Sequence, residues 1–341
     1  MSIKLGNLYN KTIQWLLEPD SNQPGVRYFT LRDLMDVSER DSELKKAQEA
    51  IMKSGPVPSI LAEQTHDGYW ERPGPGYTPK YTGTVWQLIF LAQFGAIGED
   101  KRVQAACEYV ISNTMASNGL FSMNGSPSGF IHCLSGNLIA ALIDLGKFDD
   151  DRVKKSIENV AAFITGEGID NKVEPGNNLC YYKSGTCGPL YKCANNQQLP
   201  CAWGAIKTLL AMGKIPLHNR SDTVKNAIKQ SIAFLLKYDP ALANYPSIYG
   251  DKPNSNWFKF GFPQGYMTDI LQNVEALALV DCIHDPRLEA ALRFIGSKQN
   301  DQGQWIMECK KRNKIWFQSD NQGQPSKWIT LRALKIIKAV G

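Results

Sequence analysis

The chain has 341 residues, 43% of them hydrophobic, and a formal net charge of +5. That is enough apolar material for one large core, and the basic residues are too few and too scattered for a dedicated nucleic-acid binder. No stretch approaches the ~20 apolar residues of a membrane-spanning helix, and the amino-terminal segment lacks the apolar run of a signal peptide. A cytoplasmic protein is therefore expected. Its eight cysteines are expected as thiols or metal ligands rather than disulfides.

Two kinds of helix alternate along the chain. Residues 8–17 are amphipathic, whereas residues 26–37 are apolar on nearly every side, the mark of a buried helix. Asp41, with Leu44 three residues on, then opens an amphipathic segment. The same pairing recurs at Asp100 and Val103, Asp150 and Val153, Ser221 and Val224, and Asp285 and Leu288. In each pair the polar residue fits an N-cap. Further all-round apolar segments lie at 81–95, 132–146, 201–213, 266–280 and 327–340. Gly95, Gly146 and Gly213 stand where a C-terminal cap is expected. The basic run Lys310, Lys311, Arg312 and Lys314 reads as a solvated turn.

The alternation predicts a single all-α domain over residues 1–341, a closed α/α toroid of about six hairpins with dry inner and half-wet outer helices. An open solenoid would need polar capping repeats at both ends, and none is visible.

Two connecting turns share a pattern. Gln64, Gly68 and Trp70 have the spacing of Gln299, Gly303 and Trp305, and Met115, Gly119 and Phe121 form a degenerate copy. Glycine permits the tight turn, and the aromatic ring packs back between hairpins. With this Q-x3-G-x-W pattern the chain resembles the terpenoid-cyclase and protein-prenyltransferase toroids, in particular the squalene-cyclase branch. Residues 69–87 and 257–269 also look like segments of squalene-cyclase-like proteins. The resemblance implies a toroid with an apolar central cavity that takes an isoprenoid. It does not extend to the family's acid motifs. No D-x-D-D is present, no D-D-x-x-D diphosphate motif is present, and Asp149, Asp150 and Asp151 begin an outer helix.

In such a ring the N-terminal ends of the inner helices and their preceding loops are expected to surround one mouth of a central cavity. Four cysteines crowd the loop from Cys180 to Cys201, and Cys133 opens an inner helix. Zinc takes four tetrahedral thiolate or imidazole ligands. A structural zinc on Cys133, Cys180, Cys193 and Cys201 is therefore expected, with Cys187 or His132 as substitutes; buried free thiols, or one or two disulfides, are the alternatives. Prenyltransferases hold a catalytic zinc near this mouth, but their ligand triad does not align here.

Asp269 is the candidate proton donor, with Tyr266 beside it. An acid that serves only the helix dipole is the plainer reading. Arg27 and Arg332 are candidates for an anionic head group, and Tyr81, Trp257, Phe260 and Trp328 for the walls of an isoprenoid cavity. The same rings suit a plain core. Two readings follow: an isoprenoid cyclase or transferase, or a non-catalytic binding toroid with structural zinc. A carbohydrate-active barrel needs a second carboxylate, and Asp269 has no evident partner. Membrane-surface contact and oligomeric state stay open.

Overall fold

A computed structural model describes residues 7–167, 187–248, 250, 252–310, 314–318 and 320–341. In chain order its helices are α1 (Asn7–Leu17), α2 (Pro24–Phe29), α3 (Ser42–Lys53), α4 (Pro56–Ala62), α5 (Thr84–Phe94), α6 (Lys101–Thr114) and α7 (His132–Asp144). They continue with α8 (Asp151–Thr165), α9 (Ala202–Gly213), α10 (Asp222–Leu235), α11 (Ile270–Ala278), α12 (Glu289–Ser297) and α13 (Lys327–Val340). Among the described residues, extended pairing is confined to isolated bridges, so the fold is all-α.

The polar starts act as expected. Asp41, Asp100, Asp150 and Ser221 each accept a backbone N–H of the first turn of α3, α6, α8 and α10. Asp285 does the same for a short 3-10 turn that leads into α12. Gly95 ends α5 in the left-handed region, with φ 82°, where only a residue without Cβ is unstrained.

Gly213 departs from expectation. It is the last residue of α9, and Lys214 caps the helix with right-handed dihedrals. Glycine is needed there for another reason: a Cβ would meet the Leu279 side chain at 2.7 Å. Two inner helices are also much shorter than their apolar runs. The first leaves α geometry at Thr30–Leu34, a π-helical turn. The fifth begins at Ile270, which leaves Tyr266 in the preceding loop.

The inner helices α2, α5, α7, α9, α11 and α13 close into a ring. A Cβ on Gly25 of α2 would lie 2.7 Å from the Phe94 carbonyl oxygen of α5 and 2.8 Å from the Trp328 ring of α13. The α7 and α9 backbones meet at Gly136, whose Cβ would fall 2.4 Å from the Lys207 carbonyl carbon. Lys207 of α9 donates to Gln272 of α11. Arg332 of α13 pairs with Glu275 of α11 at 2.6 Å, and Lys335 of α13 reaches Asp33, just past α2, at 2.7 Å. The first and last hairpins therefore touch.

The repeated turns are built alike. Trp70 and Trp305 are fully buried, and each donates its indole N–H at 2.8 Å to the preceding helix, at Ile60 and Ile295. Their own N–H groups bond to Thr84 and Thr330 at the start of the next inner helix. Gln64 and Gln299 each donate to their glycine's carbonyl at 3.2 Å. One side chain thus ties outer helix, turn and inner helix together.

Candidate functional site

The segment 261–265 (GFPQG) crosses the interior of the ring. Gln93 of α5 grips Gln264 twice: its Oε1 accepts the Gln264 N–H at 2.7 Å, and its Nε2 donates to the Gln264 carbonyl at 2.9 Å. Asn137 of α7 donates to the Gly265 carbonyl at 3.1 Å. Arg332 of α13 donates to the Gly261 carbonyl at 3.0 Å. An irregular segment can run through a core only if its backbone polar groups are satisfied, and these inward polar side chains satisfy them. Two cavities result, and Gln264 lines both.

The larger cavity, about 600 Å³, is walled by all six inner helices and reaches their C-terminal ends, at Gly95, Asp144, Lys214, Leu279 and Ala339. The sequence places one mouth at the N-terminal ends; this cavity lies at the other end of the ring. The apolar wall includes Phe29, Phe262 and Trp328; the last two rings are stacked 4.4 Å apart. The polar wall holds Lys207, Gln272, Glu275 and Arg332. Lys207 is fully buried and Arg332 nearly so. Arg332 pairs bidentately with Glu275, at 2.9 and 2.6 Å. Sequence reasoning missed Lys207, Glu275 and Gln93. A signal existed, since a lysine in the otherwise apolar run of α9 must have a buried partner or a ligand.

The N-terminal ends of the ring are packed with aromatic rings instead. Tyr266 stacks on Tyr81 at 6.5 Å and meets Trp86 and Trp203 edge-on. Trp203 and Tyr245 both contact Trp257. Beside them lies the smaller cavity, about 300 Å³, lined by Tyr81, Gln264, Asp269, Glu308 and Cys309 among others.

Asp269 is the buried N-cap of α11. Its carboxylate accepts from the Gln272 N–H at 2.7 Å and from Gln264 Nε2 at 2.8 Å, and Arg332 stands 3.7 Å away. Burial raises its pKa, against the opposing pull of the Arg332 charge. The carboxyl thus keeps its proton to higher pH than a surface aspartate, and it faces the smaller cavity.

The other sequence candidates separate. Trp328 and Arg332 line the larger cavity, and Tyr81 the smaller. Arg27 lines neither; it donates to the Leu17 carbonyl and stands 3.5 Å from Glu43. Arg27 and Arg332 therefore do not form one anion site. Phe260 is fully buried against Phe294, a packing position, and Trp257 belongs to the aromatic end.

The cysteines do converge. Cys187 and Cys193 face each other across a two-stranded bridge, and Cys201 is the N-cap of α9. The Cys187 and Cys201 thiols both hydrogen-bond the Cys193 sulfur, which lowers its pKa and raises theirs. Cys133, in the first turn of α7, is in electrostatic contact with all three, and burial pushes its thiol up to about 12. Cys180 and the centre of the basic run lie outside the described residues. Among the described residues no three His, Cys, Asp or Glu side chains form a group that could hold a metal ion, so the structure does not support the expected zinc site. His132 is neutral: burial lowers its pKa to about 4. Its Nε2–H donates to the Gly188 carbonyl at 2.9 Å, which leaves a buried Nδ1 without a partner.

No protein-family model matches the chain, and no curated protein matches it. Among solved structures it is similar to the apo type II terpene cyclase MstE from Scytonema, at 12% identity and TM-score 0.47 over 98% of each chain. A variant of that cyclase in complex with geranylgeranyl dihydroxybenzoate is similar at 14% identity and TM-score 0.47, over 98% of this chain and 96% of that one. A second variant, with merosterolic acid A, gives 15% identity and TM-score 0.46, over 98% and 96%. Nothing about ligands or chemistry carries across at these values. The closed double layer of helices and the repeated Gln–Gly–Trp turn make this chain an all-α toroid.

Proposed function

We propose that the protein binds a small amphipathic molecule with an isoprenoid-type chain in the larger cavity, entering at the C-terminal ends of the inner helices. One observation carries the reading: a single cavity of about 600 Å³ is walled by all six inner helices, with aromatic rings on one side and polar groups on the other. That volume falls within the ~300–1,000 Å³ of small-molecule sites. The apolar chain would lie against Phe29, Phe262 and Trp328, and a polar end against Gln272, Lys207 and Arg332. The resemblance of residues 69–87 and 257–269 to squalene-cyclase-like segments supports the choice of an isoprenoid.

Binding is favoured over turnover. Asp269, whose pKa burial raises, lines the smaller cavity, across the 261–265 segment from this ligand. Native mass spectrometry and tryptophan fluorescence with geranylgeraniol test the proposal. Saturable binding is expected for the wild-type chain. Ala140→Trp, which fills the cavity, should weaken it by at least ~10-fold, or ~1.4 kcal/mol, with unchanged circular dichroism. No binding by the wild-type chain, or equal binding by the filled variant, overturns the reading.

A further inference from the structure

Gln272 stands in the wall of the larger cavity and is only 8% exposed. It lies in the first turn of α11, three residues after the N-cap Asp269. That is the spacing of a capping box, in which the amide of the helix residue reaches back to the N–H of the cap. Only half of the box forms. Asp269 accepts the Gln272 N–H at 2.7 Å, but the Gln272 side chain turns elsewhere. Its Oε1 accepts from the Thr268 hydroxyl at 2.7 Å and from Lys207 Nζ of α9.

Two donors on one atom fix which end of the amide is oxygen. Nε2 must then point away from both, and among the described residues it meets no acceptor. The amide oxygens of Gln87 and Asn273 are sealed in protein, whereas Gln272 Nε2 opens on the cavity. N–H groups this deep cost stability unless something accepts them. The side-chain oxygens nearby are already engaged. Both Glu275 oxygens hold Arg332, at 2.9 and 2.6 Å. The two Asp269 oxygens take the Gln272 N–H and Gln264 Nε2, at 2.7 and 2.8 Å. At this end α11 offers the cavity a fixed donor.

We propose that Gln272 selects the polar end of the ligand, by donating from Nε2 to an acceptor oxygen at the end of the isoprenoid chain. It rests on the larger cavity as the ligand site, and it names the ligand's class: an oxygen-ended isoprenoid, alcohol or carbonyl compound. A plain hydrocarbon would bury the Gln272 N–H groups unpaired. An ammonium would bring further donors to a donor. Lys207 and Thr268 are positioning residues here. They hold the amide in the orientation that presents N–H to the cavity, and so act on the ligand through Gln272.

Affinities are measured by fluorescence titration of the tryptophans, one of which, Trp328, lines the cavity. The probes share one chain: geranylgeraniol, geranylgeranial, geranylgeranylamine and the hydrocarbon that lacks the end group. The wild-type chain should bind the alcohol and the aldehyde at least ~10-fold more tightly than the hydrocarbon and the amine, a comparison that needs no variant to fold. Gln272→Glu keeps an oxygen for Lys207 and Thr268 and turns the open donor into an acceptor. Its order should invert, with the amine above the aldehyde. Equal affinity of the wild-type chain for aldehyde and hydrocarbon would mean that water satisfies Nε2. That result overturns the proposal and leaves the cavity as the ligand site. An unchanged preference in a Gln272→Glu chain of native circular dichroism overturns it too. If no probe binds the wild-type chain, the ligand site itself is refuted, and this selection with it.

Discussion

Asp269 shows how burial and charge compete at one residue. Desolvation raises its pKa above the unfolded value despite Arg332. The folded state then holds the proton more tightly than the unfolded chain. The stability this provides is complete below the unfolded pKa and is lost as pH rises through the folded one. Asp269→Asn keeps an acceptor for the Gln272 N–H, and the Gln264 amide can turn to suit the new group. Its melting temperature should exceed the wild-type value at about pH 8, and the two should converge near pH 4. A lower melting temperature at the higher pH would mean that Arg332 holds the carboxylate ionised. At this scale the sequence was partly legible. The residue type and helix-start position of Asp269 were readable, but which cavity it faces was not, because segment 261–265 decides that. Cysteine spacing likewise pointed to the cluster. It did not single out Cys187, since only the cross-strand bridge to Cys193 brings that sulfur in.

The repeated turns are the most legible elements. Their Gln, Gly and Trp recur at fixed spacing, and the structure gives each copy the same bonds. Trp305→Phe keeps most of the buried ring and removes the indole donor, leaving the Ile295 carbonyl unpaired inside the core. A loss of ~1–3 kcal/mol is expected from urea unfolding, and Trp70→Phe should match it through Ile60. A change under ~0.5 kcal/mol in both would show that the bond is dispensable. The degenerate copy differs in kind. The Phe121 ring has no N–H to give, and Ser135 donates to the Phe121 carbonyl instead, at 2.9 Å. N-caps were legible for the same reason: they depend on neighbours within a single turn. The helix ends at Leu34 and Gly213 were not, because contacts with other helices set them.

At the scale of the whole molecule, ring closure has a direct test. Gly25 is where α2 meets both α5 and α13, and any Cβ there strikes the Phe94 carbonyl and the Trp328 ring. Gly25→Val should cost ~1–3 kcal/mol or more. Amide exchange should speed up in α2, α5 and α13 before it does in α8 and α10, on the far side. Uniform acceleration would mean that the ring does not loosen at this seam. The sequence by itself determined the class of fold, the alternation of dry and half-wet helices and the turn chemistry, because hydrophobic period, caps and glycine turns act over a few residues. Only the tertiary structure decided that the larger cavity reaches the C-terminal ends, that aromatic rings pack the other end, and that Gln93, Asn137 and Arg332 hold a segment across the middle. Those outcomes depend on groups far apart in the chain, whose partners are chosen by space and by the cost of leaving buried polar atoms unpaired.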